Sequence, residues 1–286
     1  MSIAAQLALM DWSAPWWQPW RSVGQQVAQR IAHGATVAQA LSAQHTSLLH
    51  GDDQRNVQFV AQSALPEGEA YEAFIYRTAQ VPTRENLHDF FNGLAWLVFP
   101  HTKRRLNQLQ AGDIAAHGVQ NLRGPLRDAL TVFDENAALW PMAQLGGSSN
   151  ISSNPSQALL QALRAKQWQR ACLDLRSHWQ HDAPVLFGHA LLEKLVTPYK
   201  SITAHVFVVH TTAPAEPTAD RDGTNCATDN LNLETLDRAT AQQLVAAALV
   251  PKPFIPLPVL GVPGWWAANE NSQFYGDSQV FRPSKP

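Results

Sequence analysis

The sequence predicts a mainly α-helical protein with a minor β element, an α+β fold in which a compact helical body is wrapped by an extended, Pro/Trp-rich C-terminal arm. Apolar residues recur at helical spacing in several segments. The run ITAHVFVVH at 202–210 is β-branched and aromatic, as is typical of a strand. The tail from Pro251 combines frequent prolines with many apolar residues, which favours an ordered but non-helical segment.

Each element follows from local spacing and from helix-breaking residues. The elements predicted in the first half are two short helices within 22–44 separated at Gly34, a strand within 56–65, and helices at 70–78, within 81–100, from Pro100 to about Gln110, and from Pro125. In the second half they are a loop at 146–157 whose Asn154 caps a following helix, helical segments up to Val196 interrupted near 181–184, the strand at 202–210, and one helix at 235–249.

Composition excludes several classes of protein. The 286 residues are 45% hydrophobic, which is enough for a sizeable core, and the net charge is −2. The one dense basic run, KRRLNQ at 103–108, is too short to indicate a nucleic-acid partner. Neither a membrane span nor a signal peptide is predicted, so we expect a cytoplasmic protein. Cys172 and Cys226 are then expected to be reduced, although a disulfide between them is an alternative.

We expect a single domain over residues 1–286, because neither a repeat nor a linker divides the chain. Its predicted parts are an N-terminal helical and aromatic segment at 1–69, a helical core with the candidate site at 70–210, a flexible insertion at 211–232, and a helix plus extended arm at 233–286.

The helix predicted within 81–100 carries unusual polar residues. His88, Asp89 and Asn92 are weaker helix formers than the Lys, Glu, Gln and Arg of most exposed helix faces. Trp96 continues their arc, which does not suit a face in bulk water. An ordinary amphipathic helix with its polar arc in solvent is the alternative. We interpret the arc as one wall of a pocket, with Arg84 just before it.

The segment PVLFGHALLEKLVTP, 184–198, predicts a helix that is apolar nearly all round. His189 and Glu193 lie one turn apart on its narrow polar stripe. Because buried polar groups require partners, this pair is either a satisfied core contact or a His and a carboxylate presented to a metal or a substrate. The spacing alone fixes no metal site, since a third ligand is needed.

Three further segments supply candidates. The helix after Pro125 carries Arg127 and Asp128 on its polar arc, or these residues simply form surface pairs. His205 lies on the predicted strand with its side chain on the face of Phe207, and Lys200 precedes that strand as a candidate anion contact. Trp265, in GWW near the C-terminus, is a candidate ligand contact, whereas the Trp cluster at 16–20 is expected to anchor the chain end.

Four blocks resemble a bacterial family catalogued as domain of unknown function 3025. They are VPTRENLHDFFNGLAWLVFPHTK (81–103), LRDALTVFDEN (126–136), FGHALLEKLVTPYKSITAH (187–205) and LPVLGVPGWWAANENSQFYGDSQVFRP (257–283). The resemblance spans roughly residues 70–283 and includes the polar candidates named above. It implies that these positions match the family blocks, and it implies no activity.

If the polar segments converge, they form a His/carboxylate cleft flanked by cations. The predicted catalytic residues are His88, Asp89, Asp128, His189, Glu193 and His205. The predicted substrate contacts are Arg84, Asn92, Trp96, Arg127, Lys200 and Trp265. Such a cleft favours a hydrolase acting on a small anionic substrate, with or without a divalent metal. A non-catalytic small-molecule-binding protein and a structural or partner-docking protein with a buried polar network are the alternatives. The sequence does not indicate an oligomeric state.

Overall fold

The N-terminal third forms short helices around a two-stranded sheet. The structure, a computed structural model, describes residues 1–44, 57–118, 124–144, 155–180, 183–212 and 233–284. Its first elements are α1 (Ile3–Ala8), α2 (Arg21–Ala32), α3 (Val37–Ser42), β1 (Gln58–Ala61), α4 (Tyr71–Thr78) and β2 (Gln80–Thr83). The two helices predicted around Gly34, the strand within 56–65 and the helix at 70–78 are confirmed. Thr36 caps α3 through a capping box with Gln39.

Three long helices form the centre of the molecule. They are α5 (Leu87–Val98), α6 (Pro100–His117) and α7 (Pro125–Asn136). Pro100 and Pro125 each occupy the first turn, where a missing N–H has no cost. The helix predicted within 81–100 begins later than its left-hand proline, because residues 80–83 pair with β1 as a parallel strand. Leu94 and Phe90 on one face of α5 and Asn92 and Trp96 on the other are all buried.

A four-stranded mixed sheet closes the core. Its strands are β3 (Ala137–Gln144), β4 (Val185–Leu186), β5 (Thr203–Thr212) and β6 (Ile255–Pro258), in the order β4-β3-β5-β6. Only β5 was predicted from the sequence. The central pair, β3 and β5, is parallel, with Ala137 opposite His205. β3 begins directly after α7 without a turn residue, so its start carries no sequence signal.

The helical stretch predicted up to Val196 is interrupted more than expected. It contains α8 (Pro155–Arg164), two irregular helical turns at Arg170–Asp174 and Arg176–Gln180, the strand β4, and α9 (His189–Lys194). The prediction of one helix across 184–198 is therefore wrong for its first half. The helix predicted at 235–249 is likewise two, α10 (Leu233–Gln243) and α11 (Ala246–Leu249). The predicted cap at Asn154, Cys226, and most of the insertion predicted at 211–232 lie outside the described residues.

The predicted fold class, mainly α with a minor β element, is confirmed, whereas the extended C-terminal arm is not. After β6 the chain folds into short 3₁₀ turns at Val259–Gly261, Ala267–Glu270 and Ser272–Gly276. Asn269, fully buried, donates to the carbonyls of Leu260 (2.9 Å) and Val262 (2.7 Å). Tyr275 donates its hydroxyl proton to the carbonyl of Gly261 at 3.1 Å. These side chains donate hydrogen bonds to backbone carbonyl groups that have no partner strand in this proline-rich segment.

In the described part of the chain, no helix has both the length and the apolar character needed to cross a membrane.

Cys172 is buried and free.

Candidate functional site

The start of α5 is held by its own polar residues. Asn86 caps the helix, its side chain accepting from the Asp89 N–H at 2.8 Å. The Asp89 carboxylate is buried and accepts from the backbone N–H of Arg84 at 2.7 Å and from its guanidinium at 2.9 and 3.1 Å. The weak helix former Asp89 thus fixes the turn into α5. This turn places His88 on the face toward α7 and α9.

Four side chains from three helices lie in a row, which we call the imidazole chain: Glu193, His88, His189 and Asp134. Glu193 Oε2 lies 3.0 Å from His88 Nδ1, and His88 Nε2 lies 3.0 Å from His189 Nε2. The two rings are nearly perpendicular, at 83°. His189 Nδ1 faces Asp134, whose Oδ1 is 3.8 Å away, too far for a hydrogen bond. His189 Nδ1 has no hydrogen-bond partner among the described residues.

Proton positions in this chain follow from the donors and acceptors. An ionised Glu193 only accepts, so His88 carries a proton on Nδ1. When both rings are neutral, His88 Nε2 is then an acceptor and His189 donates from Nε2. On this assignment His189 Nδ1 carries no proton, whereas the Asp134 backbone and carboxylate beside it both favour the protonated ring.

Burial keeps His189 neutral. The side chain is 6% exposed, and this burial, with the Lys103 ammonium and His88 as further causes, lowers its pKa to about 4 against the opposing effect of Asp134. His88 is more accessible, with 36% of its side chain exposed, and Glu193 is 40% exposed. The imidazole chain therefore leads from a buried ring to a partly solvated carboxylate.

A buried lysine neutralises the inner end of the chain. Lys103, 3% exposed, donates to Asp134 Oδ1 at 2.6 Å and to Asn92 Oδ1 at 2.8 Å, and Asn92 donates to the Tyr71 hydroxyl at 3.0 Å. Burial opposes ionisation of Asp134, but Lys103 and His189 outweigh it and lower its pKa. Burial, and secondly the Asp89 carboxylate, raise the pKa of Tyr71, so its hydroxyl stays protonated.

Gly188 permits the close approach of α9 to the end of α7. A Cβ at this position would lie 2.4 Å from both the Asn136 nitrogen and the Glu135 carbonyl oxygen. The backbone N–H groups of Phe187 and Gly188 both donate to the carbonyl of Ala137 at 2.9 Å. Because α9 starts at His189, this contact sets the position of His189 relative to Asp134.

A polar cavity of about 320 Å³ opens beside these groups. That volume suits a small ligand. The predicted residues in its lining are Arg84, His88, Asp89, Asn92 and His189. The additional lining residues are Gln62, Leu65, Tyr71, Glu72, Gln110, Thr131, Asp134 and Glu135. Glu193 is outside the lining and contacts the cavity through His88.

The remaining predicted residues lie elsewhere. Asp128 pairs with Lys252, and His205 packs against Phe254. Arg127 lines a separate, more apolar cavity with Leu126 and Val250.

Lys200 pairs with Asp277 at 2.9 Å, and Trp265 packs against Trp16. Trp96 is buried on the far side of Lys103, whose ammonium lies 5.5 Å from its ring. The cations predicted around the cleft therefore do not meet, which removes the observation that favoured an anionic substrate.

Sequence reasoning missed Lys103, Tyr71, Glu72 and Gln110 as site residues. Asp134 and Glu135 also line the cavity and are not among the predicted site residues. Lys103 belongs to the basic run at 103–108, where nothing in the sequence distinguishes it from its basic neighbours. Lys103 lies three residues after the start of α6, and only the three-dimensional structure shows that it contacts Asp134 of α7.

No three His, Cys, Asp or Glu side chains are arranged to hold a metal ion in the ranges that the structure describes. Two imidazole nitrogens approach each other, but the carboxylates at either end bind Nδ1 or Lys103 instead.

Residues 57–285 match the family described as Protein of unknown function (DUF3025), and the chain belongs to this family. The match covers every residue of the imidazole chain and the whole cavity lining. No curated protein and no solved structure matches the chain.

Proposed function

We propose that this protein is an enzyme, a hydrolase that uses the imidazole chain for general acid–base catalysis on a small polar substrate in the cavity. The observation that supports the proposal is the contact between two imidazoles at 3.0 Å, one buried at the cavity wall and one oriented by a carboxylate. General bases of this kind are histidines positioned by a second hydrogen bond.

The chemistry uses groups of the chain itself. Ligand binding must first open space beside His189 Nδ1, which is buried in this structure. A water or substrate group there then gives its proton to that nitrogen. The proton on His189 Nε2 passes to His88 Nε2, and the resulting His88 imidazolium is stabilised by the Glu193 carboxylate. His189 ends neutral with its proton on Nδ1, which suits its low pKa of about 4. Reversal of these transfers returns the proton to a leaving group.

The proposal is tested by following metabolites. Wild type and His189→Gln are incubated with a small-molecule cell extract, and mass spectrometry records which compounds disappear. We expect wild type to consume at least one compound that His189→Gln spares by about 10²-fold or more. His205→Gln is the control, because His205 is a half-buried histidine away from the cavity. The enzyme proposal is overturned if a folded wild type consumes nothing.

A small-molecule-binding protein is the second candidate, supported by the closed hydrogen bonding of Lys103, Asn92 and Tyr71 on one wall. The same experiment separates the two functions, because a compound that copurifies and is released unchanged indicates binding. We retain a cytoplasmic location and a single domain as predictions for both candidates.

A further inference from the structure

A second row of side chains begins at Asp134 and ends at another point of the cavity wall. We call it the lysine row, and its members come one from each of the helices α7, α6, α5 and α4: Asp134, Lys103, Asn92 and Tyr71. The successive contacts measure 2.6, 2.8 and 3.0 Å. Lys103 lies behind the wall, whereas the other three members line the cavity. The row therefore links a buried ammonium to the Tyr71 hydroxyl.

Lys103 sets the direction of the hydrogen bonds in this row. An ammonium only donates, so Asn92 turns its side-chain oxygen toward Lys103. The reversed amide would place one donor against another. The amide nitrogen of Asn92 consequently donates to Tyr71, and the phenolic oxygen accepts. Because that oxygen accepts within the row, the proton of the Tyr71 hydroxyl is directed away from Asn92.

This proton has no acceptor in the part of the chain that the structure describes, where the hydroxyl makes one hydrogen bond, the one it accepts from Asn92. Tyr71 is half-buried, and burial raises its pKa, so the hydroxyl keeps its proton and acts as a donor. A sheltered donor requires an acceptor. Since Tyr71 and Asn92 both line the cavity, a group bound in the cavity can supply it.

The acceptor that suits this point is an uncharged oxygen. A carbonyl oxygen has lone pairs and no proton, so it accepts from Tyr71 without offering a competing donor. A phosphate or carboxylate oxygen is less suited. The carboxylates of Asp89 and Asp134 act on the Tyr71 hydroxyl strongly enough to raise its pKa, and they would repel a further anion.

We infer that Tyr71 donates to a neutral carbonyl oxygen of the substrate, which is therefore an amide or an ester. This inference rests on the proposed function, because it names the bond that the hydrolase breaks. The oxygen of a water molecule bonds to the carbonyl carbon, its proton passes to the imidazole chain, and the C=O electron pair moves onto the oxygen held by Tyr71. When that pair returns, the bond to the leaving nitrogen or oxygen breaks, and the leaving group takes the proton. The products are a carboxylic acid and an amine or alcohol.

Binding of two matched probes tests this inference without knowledge of the substrate. The probes are butanamide, a neutral carbonyl compound, and butanoate, an anion with the same carbon skeleton. Binding is followed through the ¹³Cζ NMR signals of labelled tyrosine. The chain has four tyrosines, and the signal lost in Tyr71→Phe belongs to Tyr71. We expect butanamide to shift this signal at millimolar concentrations, and butanoate to bind at least about tenfold more weakly.

Asn92→Asp tests the direction of the lysine row with little change of shape. A carboxylate accepts from both sides, so the Tyr71 proton should turn toward it and butanamide binding should weaken by at least about tenfold. Tyr71→Phe removes only the hydroxyl and should weaken binding, measured by calorimetry, to the same extent. Tyr199→Phe is the control, since Tyr199 is 51% exposed and outside the cavity lining.

Thermal unfolding of each variant verifies that it folds, and Tyr71→Phe decides the question if Asn92→Asp does not fold. Butanoate binding as well as butanamide, no butanamide binding at all, or unchanged binding in a folded variant of either residue would each overturn the inference.

The two proposals fail separately. In the metabolite experiment, Tyr71→Phe should lower the rate of consumption by about 10²-fold. If Tyr71→Phe consumes the same compound at the wild-type rate while His189→Gln spares it, the carbonyl contact is wrong and the acid–base enzyme stands. If butanamide binds as expected but no metabolite is consumed, the carbonyl site stands and the enzyme proposal is wrong.

Discussion

Helix α6 begins between two buried polar clusters that differ in how completely they are hydrogen bonded. At its first turn, the carboxylate of Asp237 accepts from the backbone N–H groups of His101 (2.9 Å) and Thr102 (2.7 Å). The next residue, Lys103, connects α6 to the imidazole chain. The Asp237 cluster has no orphaned atom among its described members, whereas the imidazole chain ends in the unpartnered Nδ1 of His189.

This difference separates a structural role from a functional one. Asp237 is 1% exposed, and its carboxylate accepts from two backbone N–H groups, which do not titrate. Burial raises its pKa, and the helix start that it caps has orphan N–H groups to satisfy. The imidazole chain instead holds titratable groups beside a cavity of about 320 Å³. We therefore interpret the incompletely hydrogen-bonded cluster as a candidate functional site and the completely hydrogen-bonded one as a structural feature.

The largest expected effect is on stability and arises where the two clusters meet. Lys103→Met should lower the free energy of unfolding by about 3–5 kcal/mol, because it leaves Asp134 buried without its cation. Urea unfolding measures the change. Arg77→Met is the matched control, since Arg77 pairs with Glu69 at the surface and its loss should cost about 1 kcal/mol or less. Equal losses in the two variants would show that the Lys103 pair is not buried as described.

Next in size is a pH dependence of stability caused by His189. Its folded pKa of about 4 lies below the value of 6.5 expected for an unfolded chain. Between those values the unfolded state binds a proton that the folded state does not. The stability associated with neutral His189 is therefore complete above about pH 6.5 and decreases by up to about 3 kcal/mol as the pH falls to about 4.

Unfolding free energies measured from pH 7 to pH 4 test this dependence, with His189→Gln as the comparison. The variant should lose less stability than wild type over this range. Parallel curves for both proteins would mean that His189 is not the group responsible.

Asp237→Ala should have a smaller effect, about 2 kcal/mol, because it removes the side-chain acceptor of two N–H groups at the start of α6. Chemical denaturation measures it, and metabolite consumption should remain at the wild-type level once the protein is folded. Loss of consumption in folded Asp237→Ala would contradict the division between the two clusters.

The smallest expected stability effect belongs to His189→Gln, about 1 kcal/mol in unfolding at pH 7, since glutamine can keep a hydrogen bond toward His88. Its loss of activity should nevertheless be nearly complete. A melting temperature far below that of wild type would instead favour the structural alternative for this residue.

The helices were largely predictable because their boundaries have local causes. Pro100 and Pro125 begin α6 and α7, and Gly34 separates α2 from α3. β3 was not predictable in the same way, because its apolar residues continue directly from α7 and its partner β5 lies more than sixty residues later in the chain. The extended C-terminal arm is not confirmed. Prolines exclude a regular helix, but they do not indicate which side chains will hydrogen-bond to the backbone and stabilise 3₁₀ turns.

For the candidate site, the unusual types of polar residue on α5 indicated which residues line the cavity, whereas positions along the sequence did not show which side chains meet. The unusual polar residues of α5 indicated a wall, and His88, Asp89 and Asn92 do line the cavity. Asp128 and His205 have the same chemistry but lie elsewhere. Asp128 pairs with Lys252, and His205 packs against Phe254 with its buried Nδ1 unpartnered among the described residues. Spacing within one helix cannot reveal that Glu193 contacts His88 rather than His189, because the partner lies about a hundred residues away in sequence.

The central claim is that His88 and His189 exchange a proton as one coupled pair. ¹⁵N NMR of the imidazole nitrogens, recorded from pH 8 to pH 4, tests it most directly. We expect His189 to carry its proton on Nε2 at high pH, and the proton positions on both rings to change together as the pH falls. Two rings that titrate independently, with His189 keeping one tautomer throughout, would contradict it.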